Sequence, residues 1–168
     1  IIAQQNIALA VRNDGSVKAI AKDIGVDYLQ HITEILDHGF FYPQQPFPAL
    51  PLKNYVAINI TQDQLSMLRE DGEVIDTAAY YDEIAQVVDF LCRQKKRQVV
   101  LVPHIPSDLK AINTLLAKLV DYLVRRVVSV APLLQGDAGA RFNFAVYANS
   151  DFVLASRLHA NICSLAQS

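Results

Sequence analysis

Val99-Val100-Leu101-Val102 is an unbroken apolar run, and Pro103-His104-Ile105-Pro106-Ser107-Asp108 follows it directly. Such a run predicts a strand covered on both faces, as in a parallel sheet. Beyond it, Leu109, Ile112, Leu115, Leu116, Leu119 and Leu123 recur at the helical period, and Ser107 with Asp108 reads as the cap of that helix. A doubly covered strand followed by a capped amphipathic helix is the unit of layered α/β folds.

The same alternation extends in both directions. Residues 55–60 read as a strand, 62–77 as a loop with a short helical piece, and 79–95 as a helix whose stripe is Ile84, Val87, Val88 and Leu91. Downstream, strands are expected at 127–130 and 152–155, and helices at 140–148 and 158–166. Near the start, 7–11 reads as a strand, Ser16 as the N-cap of a helix ended by Gly25, and 31–36 as a short strand. Between these groups, Pro43, Pro46, Pro48 and Pro51 exclude both a helix and an inner strand, so residues 43–53 read as a Pro-rich linker. The expected class is α/β, a Rossmann-like parallel sheet with flanking helices.

Composition narrows the function. With 52% hydrophobic residues and 19% charged, the chain can fill a core and is not a disordered segment. A net charge of -2 gives no electrostatic footprint for nucleic acid or for an anionic membrane. The basic run Arg93-Gln94-Lys95-Lys96-Arg97 sits where a helix ends, and there it complements the helix dipole. Cys92 and Cys163 lie far apart within apolar patterns, which fits reduced thiols and a cytoplasmic location, free or peripheral to the inner face of a membrane. Neither cysteine has a second ligand at metal spacing, so no metal is expected. No apolar stretch reaches the roughly 18 residues of a membrane span. The chain starts at Ile1 rather than Met and stops at Ser168 directly after a helical pattern, so a fragment is expected.

In parallel α/β sheets ligands bind beyond the carboxyl ends of the strands. Three such ends carry polar groups: Val11-Arg12-Asn13-Asp14-Gly15-Ser16, Val102-Pro103-His104 with Asp108, and Leu154-Ala155-Ser156-Arg157-Leu158-His159-Ala160-Asn161. The third is the sharpest. Arg157 and His159 open a helix, whose first turn offers unpaired N–H groups and a partial positive charge. A guanidinium fork suits a phosphate or carboxylate, and an imidazole holds or donates a proton near neutral pH. The alternative is a surface ion pair for Arg157 and plain packing for His159. His104 reads as a contact to a substrate phosphate or hydroxyl, or else as a histidine bonded within its own turn. Asp108 reads as a helix cap, Arg12 beside Ser16 as a second anion contact or a surface arginine, and Asp37 as a turn former.

Residues 152–162, with Arg157-Leu158-His159 at their centre, resemble the Arg-Leu-His segment of polysaccharide pyruvyltransferases. Arg12-Asn13-Asp14-Gly15-Ser16 resembles the family's Arg-Asp-x-x-Ser element, with Asn13 where Asp is usual. Leu36-Asp37-His38-Gly39-Phe40 resembles its Pro-Asp-x-x-Phe element, with Leu36 where Pro is common, and His104 with Asp108 matches a His and an Asp after a later strand. The resemblance implies a GT-B-like two-domain arrangement. Residues 1–42 would end an N-terminal Rossmann-like domain, and 54–168 would form an incomplete C-terminal one. It implies transfer of pyruvate from phosphoenolpyruvate onto sugar hydroxyls as a ketal, in exopolysaccharide or cell-wall polymer biosynthesis. It implies no cofactor, with phosphoenolpyruvate as donor substrate and a sugar or lipid-linked saccharide as acceptor. In that chemistry His159 and Arg157 are the expected catalytic residues, and Arg12, Ser16, His104 and Leu158 the expected substrate contacts. The competing readings are a GT-B glycosyltransferase or a sugar-nucleotide epimerase-like enzyme, and a non-catalytic sugar- or anion-binding module.

Overall fold

The computed structural model describes residues 9–41, 51–66 and 74–166. The chain divides into two compact units, Ile1–Pro43 and Gln44–Ser168. Most of the expected Pro-rich linker, and the start of the first expected strand, lie outside the described residues.

In the first unit β1 (Leu9–Arg12) and β2 (Ile32–Ile35) pair in parallel, with Arg12 opposite Ile35. They are joined by α1 (Ser16–Ile24) and a 3-10 segment, Val26–His31, which takes in the first residue of the expected second strand. Gly25 ends α1 as its position predicts, and its N–H reaches Ala21 O. Ser16 is not the cap. Gly15 holds that position in the left-handed region, φ 93, and Ser16 is the first helical residue. The acceptor comes from Asp14, whose Oδ1 receives both the Ser16 N–H (3.2 Å) and the Ser16 Oγ–H (2.5 Å). A carboxylate two residues upstream satisfies the orphan donor, and a glycine without Cβ makes the turn.

The second unit contains β3 (Tyr55–Asn59), α2 (Thr77–Arg93), β4 (Gln98–Leu101), α3 (Pro106–Lys118), α4 (Tyr122–Arg125), β5 (Val128–Val130), α5 (Gly136–Ala148), β6 (Phe152–Ala155) and α6 (Leu158–Leu165). Its strands form one parallel sheet in the order β5-β4-β3-β6. All five residues of β3 are buried, as the continuous apolar run requires for an inner strand. Alternate residues serve opposite faces. Val56, Ile58, Val99 and Leu101 pack with Val88 and Leu91 of α2 and Ile112 and Leu115 of α3. Tyr55, Ala57, Val100 and Val102 pack with Val146 and Tyr147 of α5 and Ala160 of α6. The sheet is therefore sandwiched between two helical layers. Each buried Val, Leu or Ile side chain contributes on the order of 1.5–3 kcal/mol. Tyr55 is fully buried, its hydroxyl donates to Val146 O at 2.6 Å, and burial pushes its phenol up to about 12.

Three expectations are corrected. Ile105, not Ser107 or Asp108, is the N-cap of α3, because Pro106 occupies the first helical position that its fixed φ suits. Asp108 sits at the third position and accepts from the Ile105 N–H instead. The single helix expected to reach Leu123 breaks at Leu119, and α4 restarts after Asp121, whose carboxylate accepts from the N–H groups of Leu123 and Val124. Finally, α5 begins at Gly136 rather than Ala140.

The glycine in the first turn of α5, Gly139, has a packing reason. A Cβ at Gly139 would lie 2.1 Å from Leu134 O, so only glycine lets the loop after β5 lie against the first turn of α5. Gly139→Ala should therefore destabilise by about 1–3 kcal/mol from overpacking, against the roughly 1 kcal/mol that alanine's helix propensity favours. Thermal unfolding that shows an unchanged or higher Tm would remove this constraint.

Candidate functional site

In the second unit, the chain leaves β3 toward β4 and β5 on one side and returns to β6 on the other. The carboxyl ends of β3 and β6 thus mark the switch point of the sheet, the kind of place where ligands bind in open α/β folds. Asn59 ties the strand ends together there. It is 1% exposed, its Nδ2 donates to Val102 O at 2.9 Å, and its Oδ1 accepts from the Arg157 N–H at 3.1 Å. One amide thus fixes the loops after β4 and β6 to the end of β3.

Arg157 is the N-cap residue of α6, and Leu158 and His159 form the first turn. The side chain of Arg157 crosses the strand ends to the start of α3. Its Nε donates to both oxygens of Asp108 at 3.0 Å, and its Nη2 to Asp108 Oδ1 at 2.6 Å. Nη2 also donates to Asp63 Oδ1 at 2.6 Å. The edge of the guanidinium suited to bidentate anion binding is thus occupied by a carboxylate of the same unit, and Nη1 donates to no protein atom among the described residues. The two partners differ sharply, because the Asp108 side chain is fully buried while that of Asp63 is 45% exposed. Thr61 is bonded to Asp63 and is the main cause that holds its carboxyl below the ordinary range, with Arg157 adding to the effect.

His104 lies in the loop between β4 and α3. Its N–H donates to Asp108 Oδ2 at 2.8 Å, and its Nε2 lies 2.6 Å from the Tyr147 hydroxyl on α5. Burial pushes the imidazole below its ordinary 6.5, Asp108 opposes that shift, and the nearby charges of Arg157 and His159 reinforce it. That shift favours the neutral imidazole. His104 lines a cavity of about 350 Å³ with Ile105, Pro106, Gln135, Gly136 and Asn143, at the carboxyl ends of β4 and β5. His159 and Leu158 are exposed.

Arg157, Leu158, His159 and His104 therefore belong to one set of strand ends in the second unit. Arg12 and Ser16 belong to the first unit. There, Arg12 Nη1 pairs with Asp37 at 2.8 Å, its Nη2 pairs with Asp14 at 2.9 Å, and Ser16 is bonded to the same Asp14. Asp37 also accepts from the Gly39 N–H at 2.8 Å, the turn role its position predicts. Asp63, Asn59 and Tyr147 were not foreseen. A polar Asn at the end of an all-apolar strand was a readable signal, whereas Tyr147 within Phe144-Ala145-Val146-Tyr147 reads as ordinary core. Among the described residues, no group of three or more His, Cys, Asp or Glu side chains is placed to hold a metal ion.

Two outcomes follow from this geometry. Asp108→Asn should cost about 3–5 kcal/mol in urea unfolding, because it strands a largely buried guanidinium, whereas Asp63→Asn should cost no more than about 1 kcal/mol. Equal effects would show that the burial difference is immaterial. For His104, the unfolded chain binds a proton at the ordinary 6.5 that the folded chain takes up only at lower pH. Its contribution to stability is thus complete above the ordinary value and declines as pH falls through 6.5 toward the folded value. Calorimetry across that window should show a shallower acid-side decline in His104→Gln than in the wild type.

The family model described as polysaccharide pyruvyl transferase matches residues 1–168, the whole chain. No curated protein and no solved structure matches it. A match over the whole length shows the family: the chain belongs to the polysaccharide pyruvyl transferase family, a family of transferase enzymes.

Proposed function

We propose that the protein transfers pyruvate from phosphoenolpyruvate onto hydroxyls of a saccharide, forming a ketal in exopolysaccharide or cell-wall polymer biosynthesis. The observation that carries this proposal is the placement of Arg157 at the N-cap of α6 and of His159 in its first turn, beyond the carboxyl end of β6 and near enough to His104 for their charges to act on it, in a chain of this family. Phosphoenolpyruvate carries a phosphate and a carboxylate, and helix N–H groups and a guanidinium suit both. Because Asp108 holds the Nε edge of Arg157, the substrate anion is met by Nη1 and by replacement of the exposed Asp63. Arg12 is the proposed second anion contact, Leu158 and Ser16 are further proposed contacts, and His104 orients the leaving phosphate or the acceptor.

In the reaction C3 of the enol gains a proton and C2 becomes oxocarbenium-like. One sugar hydroxyl adds to C2, phosphate leaves with its C–O bond, and a second hydroxyl closes the ketal. The protons lost by the two hydroxyls balance the one gained by C3 and the one carried off by phosphate. His159 is the proposed acid or base for these transfers. The proposal includes a GT-B-like two-domain arrangement, no cofactor, and a cytoplasmic location, free or peripheral to the membrane. No helix among the described residues is long and apolar enough to cross a membrane.

The test is phosphate release, and ketal detection by NMR, with phosphoenolpyruvate and a panel of saccharide acceptors. Sugar nucleotides run in parallel, and turnover of these alone would favour a glycosyltransferase. His159→Gln should lower the rate by about 10²–10⁴-fold with the circular dichroism spectrum unchanged. Full activity of that variant would remove His159 from the mechanism.

A further inference from the structure

Tyr147 has no part in the chemistry above, yet its hydroxyl meets His104. It lies on α5, is 3% exposed, and its ring centroid is 5.8 Å from that of His104, with the planes 35° apart. The 2.6 Å contact joins the Tyr147 hydroxyl to His104 Nε2 across two elements, and it is the hydroxyl's one hydrogen bond among the described residues. The His104 backbone is held independently, through its N–H to Asp108.

We propose that Tyr147 is a positioning residue that fixes His104 as the Nδ1–H tautomer, so that His104 meets a substrate oxygen as a hydrogen-bond donor rather than as a base. A contact between a phenol and a neutral imidazole carries one proton, either the phenol's or that of Nε2–H. If Nε2–H donated, the phenolic proton would be buried with no acceptor, and an unmade buried donor is the costlier arrangement. If the phenol donates, Nε2 accepts and the ring proton resides on Nδ1. Burial favours two neutral partners, since it pushes the Tyr147 phenol up and the His104 imidazole down. The charged or titratable groups acting on the pair are Asp108, Arg157 and His159 for His104, and Cys163 and Asp108 for Tyr147. His104 lines the 350 Å³ cavity, and a neutral N–H presented there would suit the oxygen of a phosphate ester, a carboxylate or a sugar hydroxyl. The identity of that ligand rests on the proposed pyruvyl transfer, whereas the tautomer does not.

The experiment has two arms. In the ¹⁵N-labelled protein at neutral pH, two-bond H–N correlation spectra should show His104 Nε2 unprotonated and Nδ1 protonated, and Tyr147→Phe should move proton population toward Nε2. A protonated Nε2 in the wild type, or an identical tautomer in Tyr147→Phe, would overturn the proposal. In the second arm, kinetics with phosphoenolpyruvate should show kcat/KM lowered about tenfold in Tyr147→Phe. His104→Asn places an amide N–H near the position of Nδ1, whereas His104→Gln places it near Nε2. The Asn variant should keep most of the activity and become insensitive to Tyr147→Phe, and the Gln variant should not. Better retention in Gln than in Asn would also overturn the proposal. The spectra need no substrate, so absence of transfer alongside the expected tautomer would count against the proposed pyruvyl transfer and support the positioning role.

Discussion

The buried carboxylate of Asp108 is the constraint on which the second unit's strand ends depend. Within 3.0 Å it accepts from Arg157 Nε, Arg157 Nη2 and the His104 N–H, and a longer contact comes from the Ile105 N–H. Removed from water, a carboxylate persists as an anion only with such a shell. It simultaneously starts α3, shapes the His104 loop, and anchors the side chain at the start of α6. The strand ends proposed to carry the chemistry therefore sit on a framework that is itself an electrostatic cluster, with Asn59 as its neutral cross-link.

The first unit uses the same device in exposed form. Arg12 ends β1, Asp37 follows β2, and their pair links the two strand ends. The four sequence elements that resemble the family thus fall into two arginine–aspartate pairs, Arg12 with Asp37 and Arg157 with Asp108. This gives the two aspartates a physical task, since each fixes the direction of a guanidinium at a strand end. Asp14 supplies a second carboxylate to Arg12.

The layered α/β architecture was legible because both periods were clean. Residues 55–60 and 99–102 lack any polar interruption within their strands apart from Asn59, and β3 and β4 are indeed the inner strands. What misled was local. Pro106 and Gly15 decide where helices begin through φ, not through a capping side chain, so serine was credited with work that proline, glycine and aspartate perform. Arg157, His159 and His104 were readable as strand-end groups because the sheet rule points to such residues. The partners of Arg157 were not, since Asp63 and Asp108 lie 94 and 49 positions away and only the fold brings them together. Tyr147 was hidden by its apolar neighbours.

The unequal surroundings of Arg157's two carboxylates carry a consequence for solution conditions. Dissolved ions weaken attractions between solvated charges over a Debye length of roughly 8–10 Å, and they scarcely reach a sealed pair. Raising ionic strength should thus loosen Asp63 while leaving Asp108 in place. The guanidinium would keep its aim through Asp108 while its contact with Asp63 weakens, so background electrolyte would tune the outer part of this cluster without softening the fold beneath it.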